Sequence, residues 1–477
     1  MIATPGRSVL AARTNASSIT TTPSQLADDL PERAPGTAIR LLATGDLLGT
    51  IIPLPATYGI GGSVHGVAQL LDQERERGAA LWLDSGDLTV GGRLSLWGGN
   101  TLDDIASLPI AASAVGNHDL DEGTANLAQS AAQLSFPVLC SDREIGLPGH
   151  AVIETEAGAV GVVGITHPKL EAFSSAPGLP SDWLDRIHSN IEALRQAGAR
   201  WILALLHDGV TWWPFADSFR PIQSRSNYLE RVCAPWARSV DVVLSGHTLA
   251  AWTGSLHGVP AGQAHAMAGS VLPVDLLEPG GAVVHSPVRV PSVQPPRPTP
   301  ASIAIQAAGR KVVGHSAKTW LSRPHAQHYL PTLLADAIRS ATKADAAFVP
   351  SSQLFTQAPI DGTVAALLEG PVTELDIHRL LPFPANDILI VELLPGEFQR
   401  LVSYHDENAD PANTDADILW WNWARLPAGV SRKVVDPTTV AINSFFLPLF
   451  ASWLQRDPTT HNAGIDARQA IVEIFQR

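Results

Sequence analysis

Five short segments of this 477-residue chain place a metal-binding type of side chain directly after an apolar run. They are TGDLLG with Asp46, LDSGD with Asp87, GNHD with Asn117 and His118, LLHDG with His207, and SGHTL with His247. Carboxylate, carboxamide and imidazole in combination suit a hard or borderline divalent ion such as Mn²⁺, Fe²⁺ or Zn²⁺. One Asp or His at the end of a strand is commonplace, because it caps a turn or satisfies a loop. Five in succession, each closing an apolar run, exceed what capping accounts for and predict a metal centre.

Such residues need a frame that gathers them. From Ile39 onward, short apolar runs alternate with helical periodicity, the pattern of a layered α/β domain. Strands are predicted at Ile39–Ala43, Ala80–Asp84, Ala112–Val115, Val138–Cys140, Val160–Ile165, Trp201–Leu206 and Val240–Leu244. Several end in the polar residues named above, and the carboxyl ends of strands are where open α/β sheets collect ligands. Between His285 and Pro300 the chain reads HSPVRVPSVQPPRPTP, which cannot continue a sheet ladder and favours extended backbone. The expected organisation is therefore a flexible segment over 1–37, a first domain over 38–284, a linker over 285–301 and a smaller α+β domain over 302–477. In the last, a helix is predicted near His328–Thr342 and strands near Ala346–Val349, Ile388–Leu394 and Val440–Asn443. The polar, acidic stretch Asp406–Asp417 reads as a solvated loop.

Composition narrows the partner. With 32 Lys+Arg against 46 Asp+Glu the net charge is −14, which opposes a sequence-independent grip on nucleic acid or an anionic membrane. A small molecule is the expected ligand. The two cysteines, Cys140 and Cys233, are too few and too far apart for a disulfide framework or a cysteine metal site, and they read as small buried hydrophobes. The N-terminal stretch Met1–Gly36 is rich in Ser, Thr, Ala and Pro and lacks the apolar run of a secretory signal. No other run is long enough to span a bilayer. A cytoplasmic location is the expectation, a periplasmic one the alternative.

The order D…GD…GNHD…H…GHT resembles the calcineurin-like metallophosphoesterase superfamily. Within it, GNHDLDEG, FPVLCSD and VGVVGITHP are similar to the bacterial 5′-nucleotidase and UDP-sugar hydrolase branch. So are LPTLLADAIRSATKADAAFV and LLPFPANDILIVELLPGEFQRLV in the second domain. The resemblance, from about Ile39 to about Leu447, implies a layered β-sandwich flanked by helices, with a 5′-nucleotidase C-terminal-type domain appended. It implies hydrolysis of a phosphate ester by a metal-bound hydroxide in line on phosphorus. It also implies that Asp87 bridges two metals, that Asn117, His207 and His247 complete one half of the site, and that Asp46 belongs to the other. His118, oriented by Asp121, matches the family's imidazole that stabilises the transition state or protonates the leaving oxygen.

The resemblance breaks at the second metal. Where the family supplies a His two residues after Asp46 and another two after His247, this chain has Leu48 and Leu249. Leucine donates no lone pair, so a one-metal centre or a rebuilt one is expected, with His65, His257 or His265 as replacement donors. In the second domain, the family's glycine-rich segment ending in Arg is replaced by PSSQLF. Phe383 matches one ring of the family's base sandwich, and Phe445 or Phe446 lies where the other is expected. Trp212 and Trp213, after His207, either line the pocket mouth or pack the loop. Two readings stand beside the phosphomonoester hydrolase: a binding or scaffold homologue that has shed catalysis, and a metalloenzyme of altered chemistry.

Overall fold

The computed structural model describes residues 19–23, 26–53, 62–167, 177–210, 229–249, 251–321, 328, 330–350, 366–381, 387–400, 428–432 and 437–476. Among these residues, fourteen strands belong to the first domain. They are β1 (Ile19–Pro23), β2 (Thr37–Thr44), β3 (Ala80–Asp84), β4 (Ile110–Ala114), β5 (Val138–Leu139), β6 (His150–Ile153), β7 (Val160–Ile165), β8 (Trp201–Leu206), β9 (Val242–Ser245), β10 (Trp252–Leu256), β11 (Val259–Gln263), β12 (Ser270–Leu277), β13 (Ala282–Val284) and β14 (Val288–Arg289). They form two sheets. One runs β1-β10-β11-β9-β8-β7-β6, and the other β13-β12-β2-β3-β4-β5 with β14 also on β12.

Strand periodicity explains the layering. In β2, Ile39, Leu41 and Ala43 point into a core shared by the two sheets, while Leu42 points to the opposite face, against the helix Val64–Arg77. In β8, Trp201, Leu203 and Leu205 enter the same shared core. Ile202, Ala204 and Leu206 instead face a cluster that includes Ile187, Ile191 and Leu194 of the helix Trp183–Gln196. The result is a helix, sheet, sheet, helix sandwich. The central strands β2, β3, β4 and β5 are parallel, as are β7, β8 and β9, so their carboxyl ends leave the sandwich along one edge.

Two stretches at the borders of the first domain make definite contacts. The segment expected to be flexible up to residue 37 is tied down where it is described: β1 pairs with β10, the Arg33 guanidinium donates to Glu74, and the Ala34 amide donates to Asp275. Asp275 also pairs with the fully buried Arg40 and with His285, so one carboxylate fastens three stretches of chain. The proline-dense stretch expected as a linker contains β14 and buries Val288 and Val290. The helix that follows, Pro300–Arg310, sets Ala301, Ile305 and Ala308 into the first domain's cluster together with Leu375 of the second. Local composition reports that prolines refuse a ladder; it does not report what apolar surface lies within reach.

The second domain is built on a five-stranded sheet of Ala346–Pro350, Ile388–Glu392, Ala428–Arg432, Thr439–Asn443 and Thr460–Asn462, against which the helix Leu330–Thr342 packs. It meets the first domain at Gly98, where a Cβ would stand 3.5 Å from Cε1 of His378, on the helix Glu374–Leu380. Burial, followed by the nearby Arg468 charge, lowers the His378 imidazole to about 4. The folded chain therefore binds this proton more weakly than the unfolded chain does. The stabilisation is present in full above pH 6.5 and is lost as the pH falls through about 4. We predict that wild-type protein loses roughly 3 kcal/mol of unfolding stability from this group between those limits, and that His378→Leu loses correspondingly less. Urea unfolding at pH 7 and pH 4.5 measures the difference, and equal acid losses in the two proteins would refute it.

Candidate metal centre

Each predicted donor lies just beyond a strand's carboxyl end: Asp46 after β2, Asp87 after β3, Asn117 and His118 after β4, His207 after β8 and His247 after β9. Two buried carboxylates that the sequence reading missed set these turns. Asp84 accepts from Thr44 Oγ1, the Gly86 amide and Ser113 Oγ, joining the ends of β2, β3 and β4. Asp119 accepts from the amides of Asp87, Gly116 and Thr89. The glycine of GNHD is required by close approach, since a Cβ on Gly116 would stand 2.0 Å from Asp87 Oδ1.

The donors converge. Asp46, Asp87 and His207 each bring one ligand atom into a cluster whose members all lie within 4.8 Å of one another. His207 Nε2 stands 3.2 Å from Asp87 Oδ2 and 3.2 Å from Asn117 Oδ1. Its other nitrogen, Nδ1, is 2.8 Å from the Ser85 carbonyl, which as an acceptor holds a proton there and leaves Nε2 facing the cluster. His247 Nδ1 lies 2.9 Å from Asn117 Oδ1, and the His247 amide donates to both oxygens of Asp46.

The electrostatics agree with a cation-binding cluster. Burial alone would raise Asp87, but the facing His207, His118 and His247 outweigh it and hold the carboxyl well below its usual range. Asp46 is raised, by burial first and then by Asp87 and Asp84 against the opposing pull of His207. Burial would lower His207, yet Asp87 and Asp46 lift it to about 10. That much negative field in a buried space is what a divalent cation neutralises, and the oxygen and nitrogen donors suit one.

Beside this cluster, His118 Nδ1 and Asp121 Oδ2 are 3.0 Å apart. Burial opposes the imidazolium, but Asp121 and then Asp87 raise its pKa to about 9. The His118 amide donates to Asp87 Oδ1 at 2.7 Å, which ties the imidazole's position to the cluster.

The other half of the site is apolar. Leu48 is fully buried and Leu249 partly buried, and both pack in the cluster with Leu47, Ile51 and Trp97. Their backbones are unusual for leucine: φ is +49° at Leu48 and +64° at Leu249, matching +56° at Asp46 and +70° at His247. Left-handed backbone at a non-glycine residue is costly and concentrates at functional sites. The two turns thus keep one conformation in common, while the residue two places on is a hydrophobe in both.

None of the three proposed replacement donors joins Asp46 and Asp87 among the described residues. His65 is the second residue of the helix Val64–Arg77, which Ser63 caps, and burial lowers its imidazole while the Asp104 charge opposes that. His257 sits on the turn between β10 and β11 with Nε2 2.7 Å from the Glu230 carbonyl. His265 is buried with Nδ1 3.4 Å from the Leu249 carbonyl. In the second domain, Phe446 is fully buried in a cluster with Phe348 and Phe450. Phe383, the Phe445 side chain, Trp212, Trp213 and 406–417 lie outside the described residues. Cys140 and Cys233 are both buried and free.

Residues 39–251 match the calcineurin-like phosphoesterase family, so this stretch is a metallophosphoesterase domain, the domain of a metal-dependent phosphoester hydrolase. The chain as a whole has the fold of the two-domain 5′-nucleotidases. It is similar to a 5′-nucleotidase precursor from Thermus thermophilus, with 16% identity, 92% of this chain and 96% of that chain covered, and a TM-score of 0.64. It is also similar to a 5′-nucleotidase from Candida albicans (12% identity, 94% and 99% covered, TM-score 0.66) and to the sulfate thiohydrolase SoxB from Thermus thermophilus (15%, 94% and 96%, TM-score 0.62). No curated protein sequence matches the chain. Among the described residues, no helix is long and apolar enough to cross a membrane.

Proposed function

We infer that the protein hydrolyses a small organic phosphomonoester with a single divalent cation held by Asp46, Asp87 and His207, with Asn117 and His247 beside them. The observation that carries this reading is the juxtaposition of a converging oxygen and nitrogen donor set with two leucines on the same turns. When bound, the cation supplies Lewis acidity and lowers the pKa of water. His118, held by Asp121, is placed to donate a proton from Nε2 to the departing oxygen, and the carboxylates of Asp46 and Asp87 anchor the charge. Leu48 is packed inside the core, and Leu249, which is partly exposed, gives substrate an apolar wall beside the charged donors. Such a wall favours an ester less polar than a nucleotide.

The test is a hydrolysis screen of metal-titrated protein against aryl phosphates, sugar phosphates, nucleoside monophosphates and an aryl sulfate. Activity on a phosphate ester that rises with added Mn²⁺, Fe²⁺ or Zn²⁺ supports the reading. Hydrolysis of the sulfate alone would assign altered chemistry, the direction in which the likeness to SoxB points, and no hydrolysis at any metal concentration would leave a binding protein. A gain-of-site variant separates the one-metal reading further. Because Leu48 and Leu249 already hold the backbone that their turns require, Leu48→His combined with Leu249→His is predicted to bind one more cation per chain than wild type. Unchanged stoichiometry in the folded double variant would show that the leucines are not what limits the site.

A further inference from the structure

A fourth imidazole, after those of His118, His207 and His247, lies against the metal centre. His167 lies two residues beyond the end of β7, is 1% exposed, and has its ring centroid 4.7 Å from that of His247 at an interplanar angle of 49°. For comparison, the His207 and His247 rings stand 5.3 Å apart. A carboxylate is also near His167: Nε2 is 3.9 Å from Oδ1 of Asp208, a fully buried residue immediately after His207. The His207 amide donates to the Ile165 carbonyl, so the end of β8 carries a metal donor and the partner of His167 on adjacent residues, locked to the end of β7.

The backbone entering His167 is fixed unusually firmly. Thr166 donates its amide to Asp142 Oδ1 at 2.9 Å and its hydroxyl to Asp142 Oδ2 at 2.6 Å. The buried Arg143 guanidinium donates to Thr166 Oγ1 at 2.7 Å, to Asp142, and to the Pro177 carbonyl. A charged pair with few exposed atoms is thereby used to hold one threonine, and the threonine delivers the histidine.

We propose that His167 is a positioning residue of the metal centre, whose ring, held toward Asp208, forms the wall that keeps the His247 imidazole facing Asn117 and the cation. The proposal rests on the one-metal reading above. Outer residues that orient a ligand typically set metal affinity by about 10–100-fold. Here the orienting contact is a tilted ring against a ring, and with two donors replaced by leucine the remaining ones have to be held more firmly.

The experiment uses full-length protein stripped of metal and titrated with Co²⁺, whose visible absorption reports ligand geometry. Wild type, His167→Ala and His167→Phe are compared for Co²⁺ affinity, absorption spectrum and thermal unfolding. The proposal expects His167→Ala to bind Co²⁺ about 10–100-fold more weakly with an altered spectrum, and His167→Phe, which restores a ring wall, to keep affinity within about threefold and the wild-type spectrum. Wild-type affinity and spectrum in His167→Ala would overturn it. Equal weakening in both variants, with unfolding midpoints unchanged, would overturn it too, because the nitrogen and not the ring would then be what matters. Failure of wild type itself to bind Co²⁺ would remove the one-metal reading and this proposal together, and the wild-type arm tells that case apart.

Discussion

Asp87→Asn is expected to weaken divalent-metal binding by about 100-fold or more and phosphate-ester hydrolysis by roughly 10³-fold, the scale of losing a cation worth several kcal/mol of charge stabilisation. Asp87 lies at the centre of the cluster: one oxygen accepts from the His118 amide and the other faces His207 Nε2. A carboxamide keeps an acceptor for the amide and removes the charge, so the variant isolates charge from shape. The measurement pairs a metal titration with turnover on p-nitrophenyl phosphate, and circular dichroism checks the fold. A variant with unchanged metal affinity would show that the cation is held elsewhere.

His118→Asn is the complementary case. General acid catalysis contributes about 10²–10⁴-fold, and that loss is predicted in kcat, with metal affinity changed little because His118 contacts the cluster through its backbone amide. The imidazole, raised to about 9 by Asp121 and Asp87 against the opposing effect of burial, carries its proton at neutral pH. If its work is to protonate the leaving oxygen, the loss is large for an alkyl phosphate, whose alkoxide leaves poorly, and much smaller for p-nitrophenyl phosphate. Equal losses on both substrates would assign His118 to binding the phosphoryl group instead.

Much of this centre was legible because its donors are local events on strong strands. Ala80–Asp84, Val160–Ile165 and Trp201–Leu206 have the bounds that their apolar runs predict, since each run is largely buried and ends at or just before its first polar residue. What escaped was longer in range. Asp84 and Asp119 look like ordinary members of LDSGD and GNHD, and only the fold shows each one accepting from several turns. His167 stands before a proline at the end of a glycine-rich strand and reads as a loop residue; its clue is the HD dipeptide of the neighbouring strand, which becomes informative once β7 and β8 are paired. GGSVHG, with its run of turn formers, hides a helix start, because Ser63 caps the helix that carries His65. The proline-dense stretch after His285 was read from its own composition, and the burial of Val288 and Ile305 was set by the surface it crosses.

The leucines show the same division. Sequence identifies the missing donors, and the structure adds that their backbones retain the left-handed turns of Asp46 and His247. A turn that has drifted free of function has little reason to keep a leucine at φ near +50°. The shape belongs to the frame that holds Asp46 and His247, and it persists because those residues do.

The central claim, one cation in a buried donor cluster, is tested most directly by elemental analysis of full-length protein after saturation with Mn²⁺ or Zn²⁺ and removal of unbound ion. The account predicts one ion per chain in wild type, lost in Asp87→Asn. Two ions per chain, or none, would contradict it.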